Sequence, residues 1–273
     1  MKTLIPSEIS PVQLQTVMQT AISPRPIALA STIDKDGNYN LSPFSFFNMF
    51  STVPPVIVFS PSRRVRNGTT KHTLENILEI PEVVIGTVNY SIVQQTSLSS
   101  TEYDNGVNEF IKSGLTMKDA DLVKPKLIEE CPVNFECEVL ETKSLGDQGG
   151  AGTLVICEVK KIHIREEYLN EDGILDQTKL DMVARLGGNW YSRNNTNSLF
   201  EVPKPLVTKG IGFDLLPEAI RYSKIFTGND LGMLANVEIL PGSNFHSDEK
   251  IHQNAQKHLL ENNIEAAWQI LIK

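Results

Sequence analysis

The chain has 273 residues, of which 40% are hydrophobic and 21% charged, which is typical of a water-soluble globular protein with a full hydrophobic core. The formal net charge of −8 argues against nucleic acid as the main partner, because nucleic-acid binding requires a basic surface. No stretch approaches the roughly 18 consecutive apolar residues of a membrane-spanning helix and the first ten residues have no signal-peptide core, so we expect a cytoplasmic protein with no membrane segment.

The first third of the chain predicts one helix followed by a run of strands. Residues 9–22 carry apolar side chains at the i, i+3, i+4, i+7 spacing of a short amphipathic helix, which the Pro-rich segment 23–26 ends. An Asp-Gly turn at 34–38 predicts a hairpin whose second strand continues from Leu41 to Phe50. The remaining predicted elements of this region are a strand at 54–61, a helix at 73–80 and a strand at 82–88.

The middle of the chain predicts a long hairpin. Residues 133–141 alternate, and the pattern predicts that Asn134, Glu136 and Glu138 face outward. The return strand is 153–164, and its phase slips near Lys160, which indicates a bulge. The glycine-rich segment between the two strands predicts a turn, because a dinucleotide-binding loop would be followed by a helix.

These patterns predict a closed, mainly antiparallel β architecture. About six or seven strands follow one another by hairpins, and an antiparallel barrel is their natural closure because it removes exposed edges. Residues 203–244 are rich in Pro and Gly and predict an irregular arm, and residues 263–273 have the spacing of a helix. We expect two parts: a domain at 1–200, and an extension at 201–273 that packs on the barrel and ends in a helix.

Several common site chemistries find no support in the residues. Cys131, Cys137 and Cys157 show no CxxC spacing, and the last two fall in strands, where buried thiols are expected. The five histidines show no metal-ligand spacing. We therefore expect no metal site.

Two segments have the composition of a ligand site. Residues 42–51, SPFSFFNMFS, interleave four phenylalanines with hydroxyl and amide side chains, which suits either a core strand or a platform for a flat aromatic ligand. Residues 60–73 combine Arg63, Arg64, Arg66 and Lys71 with hydroxyls just before a helix, which suits either a solvated loop or a phosphate site. Taken together, the two segments indicate a flat heterocycle with a phosphate tail, as in flavin mononucleotide (FMN).

Longer stretches point the same way. They are SPRPIALASTIDKDGNYNLSPFSFFNMFSTVPPVIVFSP, TTKHTLENI, SSTEYDNGVNEF, ECPVNFECEVLE, RLGGNWYSR and GIGFDLLPEAIRYSKIFTGNDLGMLANVE. In these stretches the chain resembles the FMN-binding split-barrel group of flavin reductase-like proteins, which includes flavoredoxin. The resemblance implies a mainly β fold with short helices: a six-stranded antiparallel Greek-key split barrel with an irregular C-terminal extension. It also implies a homodimer with FMN at the subunit interface.

The resemblance also implies which residues hold the cofactor. Residues 45–48 would border the flavin ring, the strand hydroxyls would lie near the ribityl chain or phosphate, the basic loop would grip the phosphate, and the RLGG segment would approach the ring. The implied cofactor-binding residues are Ser31, Thr32, Ser45, Phe46, Phe47, Asn48, Ser60, Arg63, Arg64, Lys71, Thr73, Arg185 and Tyr191. No catalytic side chain is expected, because the flavin carries the chemistry. Gly86 departs from the family pattern, in which an Asn is common.

The functional expectation is an NAD(P)H-dependent flavin reductase that transfers hydride from nicotinamide to FMN. Its reduced flavin would serve a monooxygenase or another electron acceptor. One alternative is a non-enzymatic FMN-binding electron carrier or redox sensor, which shares every motif above. Another is a barrel that binds a different flat ligand, such as haem or a pyridoxal-type phosphate. The residues do not distinguish NADH from NADPH.

Overall fold

The computed structural model describes residues 1–206 and 208–273 and divides into two compact units, Met1–Leu199 and Phe200–Lys273. The first unit contains five helices among the described residues: α1 Pro11–Ala21, α2 His72–Glu79, α3 Val93–Leu98, α4 Glu109–Ser113 and α5 Gln177–Leu180. Its strands are β1 Ala28–Ile33, β2 Tyr39–Phe44, β3 Phe47–Thr52, β4 Pro55–Phe59, β5 Glu82–Thr87, β6 Met117–Lys118, β7 Leu127–Ile128, β8 Val133–Ser144, β9 Thr153–Ile164, β10 Met182–Arg185 and β11 Tyr191–Asn194. Nowhere in the described ranges is a helix both long and apolar enough to cross a bilayer.

Seven of these strands form one antiparallel sheet in the order β2-β1-β5-β8-β9-β4-β3. β2 and β3 lie at opposite edges of the sheet, although only Ser45 and Phe46 separate them in the chain. Three Cα–Cα steps span at most about 11 Å, so the two edges approach each other at this point. The sheet is therefore curled into a barrel that stays split, as the predicted mainly β split barrel requires.

The strand count corrects one expectation. Residues 41–50 were expected to continue a single strand within a six-stranded barrel, but the chain breaks at Ser45 and Phe46 and starts a separate strand, β3. β3 pairs with β4 rather than extending the pairing of β2 with β1. The alternation of phenylalanines with polar residues suits both strands, so the break is decided by closure of the sheet rather than by local sequence.

The long hairpin of β8 and β9 has the predicted bulge, but two of the three residues predicted to face outward are buried. Lys160 is the extra residue, because Glu136 pairs with Lys161 and Cys137 pairs with Val159. Asn134 and Glu136 are buried instead of exposed, because residues 121–128 cover this face of the sheet. The Glu136 carboxylate accepts hydrogen bonds from the backbone N–H groups of residues 121, 122 and 123, and it lies 2.5 Å from His163 Nε2.

These contacts predict an acid-sensitive contribution to stability from Glu136. Burial raises the pKa of this carboxyl, but the hydrogen bonds from His163 and the backbone outweigh burial and hold its pKa below the usual value. A lowered folded-state pKa gives stability that is complete above the unfolded-state pKa and is lost as the pH falls through the folded-state pKa. We expect Glu136→Gln to cost roughly 2 kcal/mol or more at neutral pH and much less in acid.

Thermal and denaturant unfolding measured across pH test this expectation, with Glu138→Gln on the same strand as the control. Glu138 is exposed and forms an ion pair with Lys160 at 3.1 Å, so its replacement is expected to cost little. A Glu136→Gln destabilisation that does not change with pH would contradict the assigned charge.

The two faces of the sheet carry separate hydrophobic clusters. One cluster joins Leu29, Leu41 and Val84 to Phe110 and Cys131, and the other joins Ala30, Phe59 and Ile85 to Cys137 and Cys157. The expected burial of the last two thiols is confirmed. A Cβ atom at Gly86 would lie 2.5 Å from Cys131 Sγ, so this departure from the family pattern serves close packing.

The second unit, Phe200–Lys273, contains α6 Glu218–Arg221, α7 Gly228–Leu234, α8 Glu249–Leu260 and α9 Ile264–Leu271 among its described residues. Its own core includes Ile220, Phe226, Leu234, Leu259 and Trp268. The final helix confirms the 263–273 pattern. The expectation that this unit packs on the barrel stays a prediction.

Candidate functional site

A buried polar network holds the β2 edge of the sheet. The Glu109 carboxylate of α4 accepts hydrogen bonds from the Leu41 N–H and from Asn40 Nδ2, each at 3.0 Å. Asn40 Oδ1 accepts from Thr73 Oγ1 of α2 at 2.7 Å. Burial raises the pKa of Glu109, although these hydrogen bonds oppose the shift. The network therefore ties α2 and α4 to one sheet edge and leaves a polar depression above it.

This depression, which we call the basic pocket, has a volume of about 30 Å³. It collects hydroxyl, basic and acidic side chains from β2, the loop before α2, α2 itself and the segment after α3. The residues lining it include Ser42, Arg64, Lys71, His72, Thr73, Ser99, Ser100, Glu102 and Glu109. Three of the predicted phosphate residues, Arg64, Lys71 and Thr73, are thus brought together.

Lys71 carries a positive charge in the basic pocket that its surroundings disfavour. Its ammonium lies 5.3 Å from the centroid of the Phe44 ring, and within residues 1–206 and 208–273 it has neither a hydrogen bond nor an ion pair. Burial and, next, the neighbouring Arg64 guanidinium lower the pKa of Lys71, because both disfavour its charged form. An anion at this position would stabilise both cations.

A larger cavity of about 580 Å³ adjoins the basic pocket, and Ser100 lines both. Its walls come from the end of β2, from α3 and from the β10–β11 hairpin. The residues that line this large cavity are Ile27, Pro43, Ser45, Gln94, Thr96, Ser97, Ser100, Arg185, Asn189 and Tyr191. The predicted ring contacts Ser45, Arg185 and Tyr191 therefore share one cavity. We call the large cavity and the basic pocket, which have Ser100 in common, the groove.

Two polar side chains that line the large cavity have few or no hydrogen-bond partners among the described residues. Thr96 is 3% exposed and its Oγ1 finds no hydrogen-bond partner among the described atoms. The Arg185 guanidinium stacks on Tyr191 at 4.7 Å and makes one long contact of 3.5 Å to the Trp190 carbonyl. Across the described chain, Arg185 has no carboxylate partner. The cavity thus offers a hydroxyl and an uncompensated positive charge to a ligand.

Arg25 fixes the position of Arg185. The backbones of the two residues exchange hydrogen bonds of 3.0 and 2.8 Å. The buried guanidinium of Arg25 donates to the carbonyls of Gln19, Ile22 and Leu186 and so ties the end of α1 to the β10–β11 hairpin. Burial and the nearby Arg185 lower the pKa of Arg25. Sequence reasoning left Arg25 unassigned, because its pairing with Arg185 and Leu186 joins segments that are distant in the chain.

The structure does not bring the other predicted residues to the large cavity or the basic pocket. Phe46 lines a separate apolar cavity, and Phe47 packs against the core. Asn48 is exposed and accepts from the Met49 N–H, while Arg63 donates to the Gly68 carbonyl at 3.0 Å. The remaining three, Ser31, Thr32 and Ser60, lie within or beside the sheet. A direct contact of these seven residues with a ligand stays a prediction.

Sequence reasoning missed the contribution of α3 and the segment after it. Gln94, Thr96, Ser97, Ser99 and Ser100 line the groove, yet none was singled out. The available signal was the stretch SSTEYDNGVNEF, which begins at Ser99 and carries part of the family resemblance. α3 has six residues, too few for a clear helical period.

Comparison with known proteins gives the same assignment as the fold. The model of the flavin reductase like domain family matches residues 20–182, which is more than half of the chain. An uncharacterised protein of Halalkalibacterium halodurans is 31% identical over 208 residues, covering 76% of this chain and 98% of that protein. An uncharacterised protein of Aquifex aeolicus is 35% identical over 170 residues, covering 62% of this chain and 84% of that protein.

Among solved structures, nitrilotriacetate monooxygenase component B from Bacillus cereus superposes with a TM-score of 0.69 at 25% identity. The superposition covers 74% of this chain and 98% of that one. The split sheet, the matched residues and these relatives agree, and the chain belongs to the flavin reductase-like domain family.

Proposed function

We propose that the chain is an NAD(P)H-dependent flavin reductase that binds FMN along the groove formed by the large cavity and the basic pocket. The observation that carries this proposal is that the two spaces are neighbours, because Ser100 lines both. One end offers Tyr191 and Arg185 to a flat ring, and the other offers Arg64 and Lys71 to a phosphate.

The residues present fit FMN in three respects. The isolated ammonium of Lys71 beside Arg64 suits a phosphate, which binds most strongly to grouped cations. The unpartnered Thr96 hydroxyl and the hydroxyls of Ser97 and Ser100 suit a polyol chain. A volume of about 580 Å³ lies within the range of small-molecule sites, about 300–1,000 Å³.

The mechanism assigns binding and electrostatic roles to the chain. FMN held by these residues would supply the redox chemistry, namely the capacity to take up hydride from NAD(P)H. Arg64 and Lys71 would hold the phosphate, and Ser45 and Tyr191 would position the ring. Arg185 would stabilise the negative charge that develops on the ring during reduction, because a preorganised cation in a cavity acts more strongly than one in water. No side-chain acid or base is required.

We also propose that the chain works as a homodimer with FMN near the subunit interface. Support comes from apolar side chains left exposed on the β3 edge, where Met49 is 66%, Phe50 70% and Val53 91% exposed. α1 buries none of its residues and exposes Met18. Large exposed apolar side chains on an edge strand are typical of a subunit contact.

A monooxygenase is the proposed recipient of the reduced flavin. The support is the name of the B. cereus relative, which is a component of nitrilotriacetate monooxygenase. Any other acceptor of electrons from reduced flavin is compatible with the same site.

Absorbance spectroscopy tests the proposed function. FMN is titrated into the protein, binding is read from the shift of the flavin absorbance, and the mixture is then titrated with NADH and NADPH without oxygen. We expect the flavin absorbance to shift on binding and to bleach at a catalytic rate with one nucleotide. Bound flavin that both nucleotides leave oxidised would show a carrier instead of a reductase. Absence of bound flavin at micromolar concentrations would overturn the proposal.

A further inference from the structure

We propose that Glu102 competes with the flavin phosphate for Arg64 and thereby makes FMN an exchangeable ligand. This inference rests on the proposed function and adds a specificity-determining residue to it. Glu102 belongs to the exposed segment that follows α3. Its carboxylate closes the basic pocket from one side.

The competition follows from the partners of Arg64. Glu102 Oε1 lies 3.2 Å from Arg64 Nε, and Glu102 Oε2 lies 3.1 Å from Nη2 of Arg66. The Arg64 side chain is 18% exposed, whereas the Glu102 side chain is 50% exposed. The Glu102 carboxylate, on the solvent side, therefore pairs with the same guanidinium that would bind a phosphate in the pocket.

The two acidic residues of the basic pocket have different roles. The Glu109 carboxylate is buried and is engaged by the Leu41 N–H and by Asn40. Glu102 contacts only arginines among the described residues, and it is the nearby anion that opposes the lowering of the Lys71 pKa. The negative charge of Glu102 therefore stabilises the charged forms of Arg64 and Lys71, as the negative charge of a phosphate oxygen would.

The small volume of the basic pocket independently supports the displacement of Glu102 by a phosphate. The basic pocket has about 30 Å³, room on the order of one or a few water molecules. Entry of a phosphate group requires one wall to move. Glu102 and its neighbour Thr101 are exposed, and the backbone contacts of this segment are local turns, such as Thr101 N–H to Leu98 O at 3.2 Å. The Glu102 wall is the one that moves at least cost.

Replacement of a carboxylate by a phosphate leaves Arg64 paired with an anion before and after binding. Release of FMN is then assisted by the return of Glu102, so the Arg64 guanidinium does not stay without an anion. Such an exchange suits a reductase whose flavin leaves as product. Riboflavin, which lacks the phosphate, does not take part in this competition.

The test is equilibrium binding of FMN and riboflavin to the full chain and to Glu102→Gln, which keeps the side-chain size and removes the charge. We expect FMN to bind about threefold to tenfold more tightly and to dissociate more slowly, with riboflavin affinity unchanged within about twofold. Asp104→Asn is the matched control, because it removes one charge from the same exposed segment without contacting Arg64. Thermal unfolding verifies that both variants fold.

The outcomes separate the two proposals. Failure of the unmodified chain to bind FMN overturns the proposed function and this inference with it. FMN binding with equal affinity for the unmodified chain and Glu102→Gln overturns the inference alone. An equal gain in Asp104→Asn, or an equal gain for riboflavin, also overturns it, because either result shows a general charge effect. Weaker FMN binding by Glu102→Gln overturns the inference too, because it would show that Glu102 supports the pocket instead of competing for Arg64.

Discussion

Replacing Lys71 with methionine is expected to weaken FMN binding by about tenfold to a hundredfold while leaving riboflavin binding unchanged. A hydrogen-bonded contact to a charged group contributes about 1.5–3 kcal/mol, and about 1.4 kcal/mol corresponds to a factor of ten in affinity. Methionine keeps the apolar stem that packs over the Phe44 ring, so the variant removes charge rather than volume. Paired titrations of the two flavins measure the effect.

The stability of Lys71→Met provides a second readout. Burial lowers the pKa of Lys71, which means that the fold carries an unfavourable charge at this position. We therefore expect the melting temperature to stay the same or to rise, as is common where a binding residue is removed. The control is Lys126→Met, because the Lys126 ammonium also lies 5.3 Å from an aromatic ring, that of Tyr39, but outside the basic pocket. Loss of riboflavin affinity as well would place Lys71 at the ring instead of the phosphate.

The sequence predicts most of the scaffold because the scaffold depends on local pattern. The strands at 82–88 and 153–164 are continuous apolar or alternating runs, and the bulge at Lys160 shows as a slip in that alternation. The basic pocket, which is the proposed phosphate site, also depends partly on local sequence, because Arg64, Lys71 and Thr73 lie within ten residues before and at the start of α2. The content of charged and hydroxyl side chains is enough to predict a phosphate site in that segment.

What the sequence does not predict depends on contacts between distant segments. Arg63 and Arg64 are adjacent and chemically identical, and both donate to their own loop, but only Arg64 also lines the basic pocket. Asn134 and Glu136 follow an outward pattern and are buried only because residues 121–128 fold over them. In the same way, Thr96 becomes a site residue only when α3 is placed beside β2 and the β10–β11 hairpin.

The break at Ser45 lies both where the predicted strand is wrong and in the lining of the large cavity. A uniform run of aromatic and polar residues gives no local reason to stop, but closure of the sheet requires the chain to change edges there. Where the chain leaves the edge of a sheet, its backbone groups are no longer paired with a neighbouring strand. Ser45 lies at such a point, and it lines the large cavity. The position that sequence pattern misjudges is thus one that the proposed binding site uses.

Replacing Arg185 with methionine is expected to slow reduction by NAD(P)H by at least about tenfold, with a smaller effect on FMN affinity. A positioned donor or cation near developing negative charge contributes on the order of 10²–10³ in rate where it has been removed from other enzymes. Arg185 is suited to this role because it lines the large cavity and its charge is not neutralised by a carboxylate among the described residues. Stopped-flow absorbance at saturating flavin and nucleotide measures the rate directly.

The β10–β11 hairpin provides its own control in Arg193→Met. Arg193 stacks on Tyr90 at 3.6 Å, much as Arg185 stacks on Tyr191, but the Asp181 carboxylate accepts two hydrogen bonds from it at 2.7 Å and neutralises its charge. Loss of Arg193 therefore changes packing in the same hairpin without removing free positive charge from the large cavity. Equal slowing by both variants would mean that the hairpin acts through its structure, whereas slowing by Arg185→Met alone identifies the uncompensated charge as the group that favours reduction.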